Sequence, residues 1–541
     1  MPLSFSQVPL PTMEPLLKYP LKLSSAAKQV GLIPSLFALG ALFLALRFSV
    51  ISKTENGIPV AGQASIFEPK WLLRLRFIRG SRSIIKQGYE KYRDLYIVRR
   101  WTSDVVIIGK HKYLEEIRAK TKDSVRSVEP FLLDLAGDYF KQGQAFLESD
   151  LQNRVLHQKL TPNIESLTPI MKSELEFALK QELPDIKAED WVEVDPARVF
   201  ARTIARIVAR IWIGPDECRN EDWLVATTDF TENVFITGFI LRFVPRFLRP
   251  VIGPWLPTYR SIVKSSADAR RIVAGLARKR SPAKEKTDDY VKGDDVLQWT
   301  MDMANDKELE ENNLAERILT LSLAAIHTTA LTMAQALFDL CAHPENIDTL
   351  REELTDVLDT EGEWSKKGID RLNKLDSLLK ESQRFNSVFL LTFNRFLSVP
   401  VTLSNGVHLP ARTRIAVPQY AMLNDPANVP GGNPEAYDPW RYSRLRSSEP
   451  SNSKKHLFAM TDSTHMAFGY GKYACPGRFF VANEIKMTLS HLLLRYDWKF
   501  PKGRGRPQNF TIDDNIYPDP SARVLMRRRA VSAKEEELLG F

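Results

Sequence analysis

The stretch that most constrains this chain is Phe468-Gly469-Tyr470-Gly471-Lys472-Tyr473-Ala474-Cys475-Pro476-Gly477-Arg478-Phe479-Phe480. Gly471 and Gly477 bracket Cys475 and, lacking a Cβ, permit a tight turn and a close backbone approach. The run that follows predicts a helix through about Leu494, which puts the thiol near a helix N-terminus. Backbone N–H groups and the positive end of the helix dipole favour the thiolate there, and Lys472 and Arg478 push the same way. The thiolate is the form that ligates a metal. A lone cysteine among aromatics is more commonly a small buried hydrophobe, but the glycine spacing argues against that reading and would let a flat cofactor lie against Phe468. Cys218 and Cys341 fall in segments predicted to be helical and read as inert core residues. Three cysteines in 541 residues supply no disulfide framework, and a reducing compartment is expected.

Residues 30–46 form an uncharged apolar run of 17 residues, extended to Ile51 if Arg47 snorkels, and predict one transmembrane helix over 30–51. A cleaved signal peptide is the rival; the long polar leader and the lack of a small-residue cleavage site argue against it. Basic residues are denser after the span (Arg47, Lys53, Lys70, Arg74, Arg76) than before it (Lys18, Lys22, Lys28), which turns the bulk of the chain toward the cytosol. The implied organisation is a leader (1–29), the span (30–51), a hinge around Pro59 (52–66), one large domain (67–529) and a short tail (530–541). Within the large domain the spacing predicts a helix near 80–95, a β pair near 96–108, and a mostly helical middle from 113 to 358 whose longest apolar helix covers 314–343. Asn405-Gly406 and Pro410 mark a hairpin within 396–417. The fold class is therefore mainly α with a smaller β portion. A net charge of +9 fits a membrane surface, an acidic partner or plain solubility equally well, and no nucleic-acid partner is expected. Residues 235–257 mix Phe239, Phe243, Phe247, Val251 and Trp255 with Arg242, Arg246 and Arg249. Such a stretch can rest on a membrane interface or serve as a core helix and loop.

Glu381 and Arg384 form an E-x-x-R pair, by itself an ordinary i,i+3 ion pair of a few tenths of a kcal/mol. The same spacing recurs at Glu90/Arg93 and Glu115/Arg118, so it acquires meaning only from its place in the chain.

Phe468, Gly471, Cys475 and Gly477 fill the pattern F-x-x-G-x-x-x-C-x-G, which resembles the haem-binding signature of the cytochrome P450 family of haem-thiolate monooxygenases. The resemblance implies haem b with Cys475 as the axial iron ligand. Tyr473 stands where the family usually has Arg or His; it can donate a hydrogen bond to a haem propionate but brings no charge. His157 falls where the family often offers a basic residue to a propionate, and a surface histidine is an equal reading. Ala324-Ala325-Ile326-His327-Thr328-Thr329 resembles the oxygen-activation segment, in which small residues make room over the haem and Thr328 helps deliver protons. His327 replaces the usual acid and could enter a proton relay. Glu381, Arg384 and Arg441, the last in Pro439-Trp440-Arg441-Tyr442, match a buried triad that holds the fold around the haem.

The activity implied is oxygenation of a lipophilic small molecule, with electrons from NADPH through a separate cytochrome P450 reductase at the endoplasmic reticulum membrane. No G-x-G-x-x-G fingerprint follows a strand here. Within the family the two motif segments are similar to fungal members of secondary metabolism, including ent-kaurene oxidase-like enzymes, so a terpenoid is the expected substrate, with fatty acids and polyketides open. A haem-thiolate isomerase or dehydratase needing no reductase stays open, as does a haem-binding membrane protein without catalysis.

Overall fold

The computed structural model describes residues 54–55, 57–65, 68–140, 143–186, 190–280 and 292–531. The leader, the predicted span 30–51 and the chain beyond 531 lie outside the described residues. Helices dominate and strands are the smaller part.

The axis of the molecule is the helix Glu311–Ala342. It is apolar around most of its circumference, and such a helix can satisfy that surface only by being enclosed. Leu321, Leu323, Ile326, Met333, Leu337 and Leu340 are all buried in the larger of two cores. At 1.5 Å per residue its length is about 48 Å, enough to run through the whole domain. It is the one helix among the described residues long and apolar enough to cross a membrane, and here it is a core element. The helices Pro196–Ile213, Glu221–Arg242 and Pro257–Lys279 pack along one part of it, and Asn373–Phe385 and Arg478–Arg495 along another.

The second core lies under a five-stranded sheet with the order Leu95–Arg99, Asp104–Ile108, Arg414–Val417, Thr392–Leu397, Val125–Arg126. The pairings are antiparallel except between Asp104–Ile108 and Arg414–Val417. The helix Lys70–Tyr92 covers this sheet with Phe77, Ile84, Ile85 and Tyr89. It begins ten residues before the predicted start because Leu73 and Phe77 continue the buried stripe through an arginine-rich stretch. The C-terminal half of the expected hinge is also part of the fold. Ile58, Val60 and Ala61 are buried, Val60 bridges Ile97, and the Ala61 N–H donates to the Ile97 carbonyl at 2.9 Å. These apolar residues find an open sheet edge, which sequence distance conceals.

The end of the 221–242 helix crosses the chain at Leu135 with no room to spare. A Cβ on Gly238 would lie 2.9 Å from the Leu135 carbonyl oxygen and 3.0 Å from its Cα. Backbone atoms cannot swing aside as a side chain can, so Gly238→Ala is expected to cost about 1–3 kcal/mol. The measurement is denaturant unfolding, with a lowered midpoint and an unchanged slope; an unshifted midpoint would show that the crossing has slack.

Candidate active site

The Cys475 loop is shaped by its own backbone. Gly469 and Gly471 have φ of +75° and +69°, the left-handed region where L side chains are strained. The Cys475 N–H donates back to the Phe468 carbonyl at 2.7 Å, and the Gly469 N–H to the Met466 carbonyl at 2.7 Å. Gly477 is the N-terminal cap position of the Arg478–Arg495 helix, so the sulfur sits at a helix start as the sequence predicts. A Cβ on Gly471 would touch the Arg118 side chain at 3.0 Å, while one on Gly477 would meet no protein atom within 4 Å. The Phe468 ring is held edge-on to Phe458 with centroids 5.3 Å apart.

The electrostatics of the sulfur differ from expectation in one respect. Burial pushes the Cys475 thiol up, and the N–H groups of Gly477 and Arg478 with the Arg478 guanidinium pull it down less strongly. Lys472 is exposed, its ammonium donating to the Lys120 carbonyl at 2.5 Å, and the cation that acts on the sulfur is Arg478. A cation bound to sulfur would complete what the loop begins. Burial pushes Cys218 up to about 11 and Cys341 up to about 12, which leaves both inert.

The buried cation near this loop is one the sequence did not flag. Arg395 is 5% exposed, and its guanidinium carbon lies 4.5 Å from the Tyr473 ring centroid and 4.6 Å from that of Phe393. Its Nη1 donates to the Asn394 carbonyl at 2.7 Å, while Nε and Nη2 have no hydrogen-bond partner in the protein. A buried guanidinium with unsatisfied donors is costly unless an acceptor completes it. Burial accordingly lowers Arg395 to about 10. The Tyr473 hydroxyl donates to the Val125 carbonyl at 3.3 Å, so its ring is the platform for Arg395. Arg478 donates through Nη1 to the Cys475 carbonyl at 2.8 Å, with its Nε unpaired. His157 lies in a widened helical turn, exposed yet near enough to Arg478 that burial first, and that cation second, hold its imidazole below the usual range. Arg395, Arg478 and His157 thus offer positive or donor groups around a thiol and an apolar ring. That donor set fits a flat prosthetic group carrying iron and carboxylates.

Within the 311–342 helix, Ala324 is exposed although Leu323 and Ile326 beside it are buried, so the helix presents a small residue to open space deep in the fold. The Thr328 hydroxyl donates to the Ala324 carbonyl at 2.7 Å, and the buried Thr329 hydroxyl has no partner in the protein. His327 points away to the 221–242 helix, with Nε2 3.2 Å from the Thr228 carbonyl. Burial holds its pKa below the ordinary value against the pull of that carbonyl and of Asp229. The apolar stretch Phe389 to Leu391, just beyond the Asn373–Phe385 helix, is only partly enclosed. Leu390 and Leu391 are enclosed in the sheet core, whereas Val388 and Phe389 keep exposed surface and pair with Asn515 and Ile516.

Glu381, Arg384 and Arg441 come together in the interior. Arg384 donates through Nε and Nη2 to the two Glu381 oxygens, both at 2.9 Å, and Arg441 Nε lies 3.3 Å from each. The Asp438 N–H adds a bond at 3.1 Å. The surplus positive charge faces carbonyls: Arg384 donates to Pro434 at 2.8 Å and Arg441 to Ala436 at 2.9 Å. The other two E-x-x-R spacings differ in kind. Glu115 and Arg118 form an exposed pair, and Arg93 turns to Asp425.

A mainly helical domain that closes around one glycine-framed thiol, with a buried, incompletely bonded arginine beside it and a small-residue helix bearing a threonine, has the makings of a protein that holds a prosthetic group through a thiolate. The comparisons identify the family. The cytochrome P450 model matches residues 71–525, and the chain belongs to the cytochrome P450 family of haem-thiolate monooxygenases. It is 50% identical to a protein named ent-kaurene oxidase from Gibberella intermedia, over 91% of this chain and 92% of that one. A cytochrome P450 monooxygenase, AN1598, from Emericella nidulans is 43% identical over 89% of each chain. The monooxygenase paxP of Penicillium paxilli is 35% identical over 89% of this chain and 92% of its own.

Two outcomes are expected from this geometry. Glu381→Ala strands both arginines at a cost of about 3–5 kcal/mol, and should yield protein without haem. Full haem content in that variant would refute the structural role. Arg395→Leu should lower haem retention on dilution, whereas Tyr473→Phe, which keeps the aromatic platform, should not. Equal retention in the two variants would remove Arg395 from the site.

Proposed function

We propose that this protein is a membrane-bound monooxygenase that oxidises a lipophilic terpenoid scaffold, with electrons passed from NADPH by a separate reductase. The observation that carries the substrate class is the identity of 50% over nearly the whole chain to a protein named ent-kaurene oxidase. The exposed Ala324 beside Thr328 agrees with it, since a bulky hydrocarbon needs small residues next to the reacting centre.

In this reading Cys475 would ligate the iron, Phe468 and Gly477 would flank the group, and Arg395, Arg478 and His157 would hold its carboxylates. Haem, when bound, supplies the redox chemistry that activates dioxygen, with thiolate donation favouring O–O cleavage. The chain supplies positions and protons. The Thr328 hydroxyl holds a proton at Oγ1, parked on the Ala324 carbonyl. His327 is neutral at physiological pH because burial lowers it; with Nε2 facing a carbonyl, the proton belongs on that nitrogen and Nδ1 is the acceptor. Relatives named as an oxidase and as monooxygenases favour oxygenation over a reductase-free rearrangement.

Membrane residence is supported by a surface on the 243–255 segment. Phe247 is 77% exposed and Trp255 76%, with Val251 and Phe243 also exposed beside Arg246. Apolar side chains rimmed by arginine suit an anionic lipid interface. We take residues 30–51 as the anchor in the endoplasmic reticulum membrane, with the domain over 67–529 in the cytosol.

The purified ferric protein titrated with terpene hydrocarbons, fatty acids and polyketides should show displacement of iron-bound water by a terpene. A response confined to the other classes would overturn the substrate class. Thr328→Ala should retain haem and substrate binding while releasing more hydrogen peroxide per NADPH, and unchanged coupling would place the proton route elsewhere. A chain lacking residues 1–51 should still float with anionic vesicles, and Phe247→Glu with Trp255→Glu should abolish this. Flotation that survives both substitutions would dismiss the face.

A further inference from the structure

Six charged residues that are far apart in sequence meet at the far end of the 221–242 helix. Arg100 follows the first sheet strand, Asp134 ends the helix Val128–Asp134, Arg242 ends the 221–242 helix, Arg414 opens its strand, and Asp513 and Asp514 form the turn of the hairpin Phe510–Ile512/Asn515–Tyr517. Arg100 is wholly buried; it donates to Asp513 at 3.0 and 2.7 Å and to Asp514 at 2.8 Å, and lies 3.0 Å from Asp134. Arg414 grips Asp134 at 2.9 and 2.6 Å. Arg242 reaches across both, donating from Nη1 to Asp513 at 2.7 Å and from Nε to the Asp134 carbonyl at 2.6 Å. Its own carbonyl accepts from the Trp101 indole at 2.8 Å. Three arginines balance three aspartates.

The place of this cluster matters more than its size. The 221–242 helix roofs the oxygen-activation segment, because Thr228 meets His327. Arg242, fourteen residues on, is about 21 Å along the same helix. The hairpin carrying Asp513 and Asp514 pairs with Val388 and Phe389, which keep exposed surface. Immediately after Arg242 come Phe243, Phe247, Val251 and Trp255, all exposed. The cluster therefore ties roof, sheet and hairpin together between the interior and the apolar outer face.

The three arginines are not equivalent. Loss of Arg100 would leave Asp514 with only the Asn515 amide at 3.3 Å, a stranded buried charge. Withdrawal of Arg242 strands no charge, since Asp513 keeps both bonds from Arg100 and Asp134 keeps Arg414; it frees only the Asp134 backbone carbonyl. Arg242 also stands on a helix end, next to the exposed segment that follows it, whereas Arg100 adjoins one sheet strand and Arg414 opens another. We propose that this cluster is the latch of the substrate route, that Arg242 is its release arm, and that release opens the chamber toward the lipid surface. The direction of opening rests on the membrane-facing reading of residues 243–255; the latch itself does not.

Asp514 adds a pH dependence of definite sign. Burial first, and then Asp513 and Asp134, hold its carboxyl up at about 6 against the pull of Arg100 and Arg414; Tyr517 and Arg242 complete the groups around it. In an opened rim water would reach Asp514 while Arg100 stays bound to it, and its carboxyl would fall back into the ordinary aspartate range or below. The closed rim binds that proton more tightly, so closure gains as pH falls through about 6.

The test is hydrogen exchange followed by mass spectrometry on full-length, haem-loaded protein without substrate. Arg242→Gln should speed exchange over 236–256 and 510–517 by about tenfold or more, the loss of two charge-assisted hydrogen bonds, with 95–108 and 311–342 unchanged. Arg246→Gln, outside the cluster, should change neither region. Exchange corrected for its intrinsic pH dependence should slow in the native protein between about pH 7.5 and about pH 5.5, and Asp514→Asn should be slow throughout. Unchanged exchange in Arg242→Gln, or acceleration that extends through 311–342, would overturn the latch. Because no substrate is present, either result stands apart from whether a terpenoid is oxidised.

Discussion

The Glu381 carboxylate is the point on which the rest of the structure depends. It lies wholly inside, accepts from Arg384 and Arg441, and through them fixes the carbonyls of residues 430–436 before the Cys475 loop. A buried carboxylate holding two guanidiniums is worth little as added stability, since desolvation offsets most of the attraction. Its value is geometric. Only one arrangement of helix and loop satisfies every donor, and that arrangement holds the segment leading to the thiol.

The same economy recurs around Cys475. The loop supplies glycine φ angles and N–H groups, yet burial still raises the thiol, and Arg395 remains incomplete between two aromatic faces. Such groups are expensive to bury unsatisfied, so their persistence marks a site shaped for something beyond the chain. In a family of haem-thiolate monooxygenases a haem would bring both a cation for sulfur and acceptors for arginine. Tyr473, which lacks the charge expected at its position, contributes by stacking: it holds the cation that comes from another strand.

Above the site, the roof helix is fixed at Gly238 by backbone contact and at Arg242 by charge. The two fastenings differ in what they permit. A close backbone crossing admits no nearer approach, whereas an arginine whose acidic partners keep other donors can leave and return.

Much of this was legible in the residues themselves. The glycine-framed thiol, the apolar helix with Ala324 and Thr328, and the strand and hairpin signals all follow from local rules, because turns, caps and periodicity act over a few residues. The spacing also placed Glu381 and Arg384 on one helical face, and only the order of motifs along the chain set that pair apart from Glu115 and Arg118. Burial separates them, and burial is a property of the packed chain. Leu390 and Leu391 are apolar enough to line a pocket or a core, and packing against the sheet made them core. Arg395, and the meeting of Arg100, Asp134, Arg242, Arg414, Asp513 and Asp514, left no local trace. Charges hundreds of residues apart interact only once the fold has excluded water between them, so their partnership belongs to the tertiary structure alone.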